Sequence, residues 1–184
     1  MIASGTLEAP LSEEQRLHLA ARKVGQMDAC LQQQHAFAVQ EAARRVAEAT
    51  AASASTFTHS EVMGSLRQLS QVVRASPATD RIVILVSDML EHSDATSFYA
   101  DRNLRLVDPA QEMAMAERHE LLADFGGADV AVVGAGLLSP EAAADAGRTT
   151  PELNALRSFW TQWFERSNAE LVAWGQPDLV APIR

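Results

Sequence analysis

Asp88 has the residue type and the setting for chemistry. It follows Arg81-Ile-Val-Ile-Leu-Val-Ser87, which puts a carboxylate at the tip of an otherwise apolar strand. Such a group is costly there unless it meets a cation, a hydrogen-bond donor or a helix N-terminus. Ser87 precedes it, and Glu91, His92 and Ser93 follow closely. Open parallel sheets take their ligands outside the carboxyl ends of their strands. Ser87, Asp88, Glu91, His92 and Ser93 therefore form the candidate ligand- or partner-binding group. An acid–base role for Asp88 with Glu91 or His92 is the alternative, although no spacing enforces it.

Other chemical motifs are weak. Ser87 does not sit in a Gly-x-Ser-x-Gly elbow, which argues against a hydrolase nucleophile. The five histidines, at 18, 35, 59, 92 and 119, make no His-x-x-x-His pair. Gly134-Ala-Gly136 runs into Leu137-Leu-Ser-Pro140, without the third glycine that opens a helix in a dinucleotide-binding turn. No catalytic residue is assigned. Thr58-His-Ser-Glu61 matches a capping box ahead of a helix.

The elements that position these residues follow from periodicity. From residue 11 to about residue 54 the chain is rich in Ala, Gln, Glu and Arg, with Leu17, Ala20, Val24, Met27, Leu31 and Ala38 at helical spacing. This predicts a long N-terminal helical segment, residues 1–54, packing on the sheet or on a partner. Residues 55–184 alternate between strand and helix signals and make the α/β core of what reads as one domain overall. Glu61–Val73 reads as a helix. Arg81–Asp88 is a continuous β-branched run, expected to be buried on both faces. Asp108–Asp124 is helical behind Asp108-Pro109, Asp129–Gly134 is a second buried strand, and Ala169–Trp174 is a last one. Pro151–Ser167 is a helix capped by Thr150, with Leu153, Leu156, Trp160, Trp163 and Phe164 facing inward. Crossovers of this length mean a mostly parallel sheet with flanking helices, a three-layer Rossmann-like fold.

Composition bounds the function. The chain has 184 residues, 47% hydrophobic and 21% charged, as in a globular protein rather than a disordered one. A net charge of −9 works against nucleic acid as the main partner, because that affinity comes from Lys and Arg neutralising phosphates. The longest unbroken apolar run, Ile82–Val86, is far short of the ~20 residues of a membrane span. Cys30 is the single cysteine, so neither an intrachain disulfide nor a thiolate zinc site is possible. The residues from Met1 onward lack the pattern of a signal peptide, so the chain as written is expected to be cytoplasmic. A start further upstream would make it secreted or periplasmic.

The pattern resembles the von Willebrand factor type A (vWA) domain. The resemblance covers roughly residues 55 to 178. It rests on Thr58 before a helix containing Leu66–Val73, and on the strand Arg81–Asp88 ending in a Ser-Asp pair. Ser87–Ser93 continuing to Ser97-Phe-Tyr99, with Phe159-Trp-x-x-Trp-Phe164 near the end, is similar to a little-characterised bacterial branch of that superfamily. The resemblance implies a divalent ion, usually magnesium, held at the strand tips. Thr58 (or Thr56 in a shifted alignment) would match the family's metal-binding Thr, and Asp88 its Asp. The family's Asp-x-Ser-x-Ser loop has no counterpart here. The expected site is therefore degenerate, holding no metal or weakly bound Mg2+, with Thr58 and Asp88 as its residual ligands. The implied function is a non-catalytic protein-binding module, a subunit of a larger assembly. The alternative is a Rossmann-like hydrolase or metal-dependent enzyme using Asp88 with Glu91 or His92.

In that family the strand bearing Asp-x-Ser-x-Ser lies beside the one ending at Asp88. Without it, the Arg81–Asp88 strand is expected to expose one edge. Ile2–Leu7, a second copy of the chain or a donated partner strand would then fill the gap. A protein partner or a homo-oligomer is the expectation.

Overall fold

A computed structural model describes residues 24–52, 59–100, 103–136 and 149–176. The chain divides into two compact units, residues 1–57 and 58–184. In the first, helix α1 spans Val24–Ala52, with Gly25 in its opening turn. Its surface carries i,i+3 and i,i+4 ion pairs of Arg44 with Glu41 and Glu48, and of Arg45 with Glu41. Hydrogen bonds from Arg44 and then Arg45 hold the Glu41 carboxyl down to about 2. Leu31, from the apolar stripe of the sequence, is exposed. Leu17 and Ala20 lie outside the described residues.

The second unit is an α/β structure. Its elements are α2 (Val62–Ala75), β1 (Ile82–Val86), β2 (Tyr99–Ala100), β3 (Asn103–Leu104), α3 (Pro109–Arg118), β4 (Ala128–Val133), α4 (Thr150–Arg166) and β5 (Ala169–Gln176). Strands β1, β4 and β5 form a parallel sheet in that order, with Ile84 opposite Ala131 and Val130 opposite Leu171. Strands β2 and β3 make a small antiparallel hairpin.

One face of the sheet and the helices share a core. Val83, Val130 and Val132 meet Met63 and Leu66 of α2, Met113 and Ala116 of α3, and the aromatic stripe of α4. Of the residues expected to face inward, Leu156, Trp160, Trp163 and Phe164 are fully buried, joined by Phe159, whereas Leu153 near the start of the helix is exposed. The rings form edge-on and tilted contacts with each other and with Phe98 and Phe125. Truncating one such ring costs about 3–5 kcal/mol, so this helix face is a main anchor of the fold.

Local chemistry sets the helix ends. Asp108 Oδ1 accepts from the N–H groups of Ala110 (3.0 Å) and Gln111 (3.3 Å), with Pro109 at the first position of α3. Helix α3 stops at Arg118 rather than Asp124. There the Glu120 N–H donates to Glu117 O and the Leu121 N–H to Ala116 O, with Glu120 at φ 54°. This is a Schellman stop, normally the place of a glycine. Helix α4 begins one residue earlier than expected, capped by Thr149 and not Thr150: Thr149 Oγ1 accepts from Glu152 N and Glu152 Oε2 from Thr149 N.

The largest departure concerns β1. Val83 is buried, but Ile82, Ile84 and Val86 are 52%, 48% and 62% exposed. The run is buried on one face, not two. An Ile/Val/Leu string has the same composition in either setting, so alternation of burial is invisible in it.

Candidate functional site

The first sheet strand delivers the site. Ser87 closes the β1–β4 ladder by donating its N–H to Val133 O (3.1 Å). The chain then turns sharply. Ser87 Oγ accepts from Met89 N (3.0 Å) and Asp88 Oδ1 from Leu90 N (3.1 Å), so both side chains satisfy the loop that follows them. Met89 adopts φ 59° with its side chain fully buried, a left-handed backbone that costs a non-glycine residue about 1 kcal/mol or more. Its carbonyl accepts from Trp160 Nε1 at 2.9 Å, which ties the turn to α4. Asp88 O accepts from Gly136 N (2.8 Å), so the glycine turn after β4 braces the Asp88 turn. Gly134 and Gly136 both have positive φ, 85° and 75°.

Glu91 and His92 part company immediately afterwards. Glu91 is only 1% exposed, and its Oε2 accepts from Met63 N at 2.8 Å. It caps α2 from across the chain. Glu61 stands at the N-cap position but makes no side-chain cap bond, so the Thr58-to-Glu61 capping box is not what starts this helix. Burial pushes the Glu91 carboxyl above its ordinary value, opposed by hydrogen bonds from Met63, Ser93 and Val62. Among the five candidate residues, Glu91 is thus an interior support rather than a contact for a partner.

His92 points the other way. Its backbone bridges to Ser60 (N–H···O distances 2.8 and 2.9 Å), and its Nδ1 lies 3.0 Å from Ser97 Oγ. The His59 ring stacks on it at 5.3 Å, nearly parallel, and Tyr99 meets it edge-on at 5.8 Å. The Tyr99 hydroxyl donates to Asp88 Oδ2 at 3.5 Å, which joins the aromatic group to the strand tip. Ser93 turns the loop, its N–H donating to Thr96 O (2.9 Å). Behind it, Arg105 donates to Ser97 O and to Glu112 Oε1, both at 2.5 Å, and Thr96 Oγ1 donates to Glu112 Oε2 at 2.9 Å.

Asp88, His92, Ser97 and Tyr99 are thus brought together at the carboxyl end of β1, half-buried. Glu91 faces inward. Sequence reasoning missed His59 as a stacking partner and the Arg105–Glu112 support, because both arrive through long-range folding with no local spacing. Thr58 and Thr56 lie outside the described residues. Among the described residues no group of three or more His, Cys, Asp or Glu is placed to hold a metal ion. Both Asp88 carboxylate oxygens accept a hydrogen bond from the protein.

Compared with known protein-family models, with curated proteins and with solved structures, the chain matches none.

Proposed function

We propose that the chain is a non-catalytic protein-binding module of the vWA type, with an incomplete metal site, working as a subunit of a larger assembly. The observation that carries this reading is the position and wiring of Asp88. It stands at the carboxyl end of a parallel strand, half-buried, in a turn braced by Gly136 and Trp160, with Tyr99 on its second oxygen. That is a rigid acidic feature framed by His92, Ser97 and Tyr99, suited to hydrogen-bonding and stacking contacts with a protein surface. For an acid–base reading Glu91 is spent on the start of α2, which leaves His92, joined to Asp88 through Tyr99, as the partner that reading would use.

On this proposal divalent ions bind weakly, because among the described residues no group of three or more His, Cys, Asp or Glu is placed to hold an ion with Asp88. Titration of magnesium and of manganese into the intact chain, followed by amide chemical shifts, tests it. Weak shifts confined to Ser87–Leu90 and Tyr99, lost in Asp88→Ala, are expected. Tight stoichiometric binding that depends on Asp88 would contradict the incomplete site.

A further inference from the structure

The edge of β1 is built for pairing. The β1–β4 ladder uses the Arg81 carbonyl, which accepts from Asp129 N (2.9 Å), and the Ser87 N–H, which donates to Val133 O (3.1 Å). Backbone groups alternate sides along a strand, so the N–H and C=O of Ile82, Ile84 and Val86 point away from β4. The same three residues carry the exposed side chains, at 52%, 48% and 62%. Unprotected edges of this kind are normally blunted by charge, proline, bulges or glycine. The opposite side of the sheet has such devices: β5 shifts register twice against β4, carries Glu170, and has Gly175 at φ 75°. Between residues 82 and 86, β1 has none of them.

We infer that β1 pairs antiparallel with β1 of a second copy of this chain, about a two-fold axis through Ile84. The strand is self-complementary in that register. Ile84 meets Ile84 of the partner subunit, while Ile82 and Val86 meet each other's equivalents. These are β-branched cross-strand pairs of the kind that stabilise antiparallel ladders. All three positions become hydrogen-bonded pairs, so each outward N–H and C=O gains a partner. Sliding by two residues either way removes an apolar pair and brings Asp80 or Asp88 into the ladder. At the ends of the favoured register Asp80 faces the partner's Asp88, and this like-charge contact limits the ladder to residues 82–86. The resulting sheet is continuous across both copies. This inference stands on the sheet alone and does not depend on the role of Asp88.

The test is sedimentation of the intact chain over a wide concentration range, with residue-resolved amide exchange on the same samples. A concentration-dependent dimer is expected. Its formation should slow exchange of the Ile82, Ile84 and Val86 amides, while those of Val83 and Leu85 are protected at every concentration. Ile84→Pro removes an outward N–H and leaves the β4 ladder intact, and Ile84→Lys places a charge on the axis. Both should abolish the dimer with the far-ultraviolet spectrum unchanged. If either variant fails to fold, the exchange pattern of the unaltered chain decides. A chain monomeric at every concentration overturns the proposal. So does a dimer that leaves the Ile84 amide freely exchanging, or one that survives both substitutions.

Discussion

Replacing Glu91 separates structural support from surface chemistry. The carboxylate is 1% exposed, and the N–H it holds belongs to Met63, whose side chain is fully buried. Glu91→Ala removes a cap, typically worth about 1 kcal/mol, and orphans a buried donor, costing about 1–3 kcal/mol. Taken as additive, the two contributions give a loss of about 2–4 kcal/mol. Glu91→Gln keeps an acceptor for Met63 N and sheds a desolvated charge, so its loss is about 1 kcal/mol or less. In thermal unfolding Glu91→Ala should lower Tm by about 5–15 °C, and Glu91→Gln by only a small fraction of that. The pH dependence gives a second signature. Burial raises the folded carboxyl above its ordinary 4.5, so the folded state holds more protons than the unfolded one just above that pH. Stability from this group is complete below 4.5 and is lost as pH rises through the folded value. Glu91→Gln should remove that slope. Equal destabilisation by Ala and Gln, or a Glu91→Ala variant within about 0.5 kcal/mol of the parent, would refute the interior-cap assignment.

Other outcomes follow from single contacts. Glu120→Gly relieves a left-handed residue at an exposed helix stop and should raise stability by about 0.5–1 kcal/mol in chemical denaturation. Trp160→Phe leaves the Met89 carbonyl without its indole donor and should cost about 2–3 kcal/mol in the same assay. Thr149→Ala dismantles the α4 capping box, and a loss of about 1 kcal/mol is expected.

Much of the architecture is legible in the sequence where the determinants are local. Asp108-Pro109 marks the start of α3, and the Phe159–Phe164 spacing marks the buried face of α4. The run Asp129–Gly134 marks β4 to within a residue, because Val130–Val133 is an unbroken apolar stretch closed by Gly134. Where determinants are distant, the sequence is silent. The cap of α2 comes from Glu91, 28 residues away, so a local Thr58–Glu61 pattern misassigns it. Glu91 and His92 are neighbours in sequence, yet they serve opposite sides of the loop, and only folding separates an interior carboxylate from a surface imidazole. Strands β2 and β3 have two residues each, too short to carry any period. The end of α3 is hidden for a different reason: a glutamate occupies the left-handed position where glycine is the usual signal.

The candidate site was likewise half visible. Asp88 stands out because a carboxylate after five apolar strand residues needs an explanation, and its hydrogen bonds to Leu90 and Tyr99 supply one. The His59–His92–Tyr99 group has no such marker. It assembles from the segment before α2, the loop after β1 and the hairpin strand β2.

The most direct test of the central claim is a turnover measurement on the intact chain. A panel of phosphate-ester, carboxylic-ester and peptide substrates, with and without magnesium or manganese, should give no rate above that of Asp88→Ala. A rate in the parent chain that disappears in Asp88→Ala would contradict the account and make the strand tip a catalytic centre.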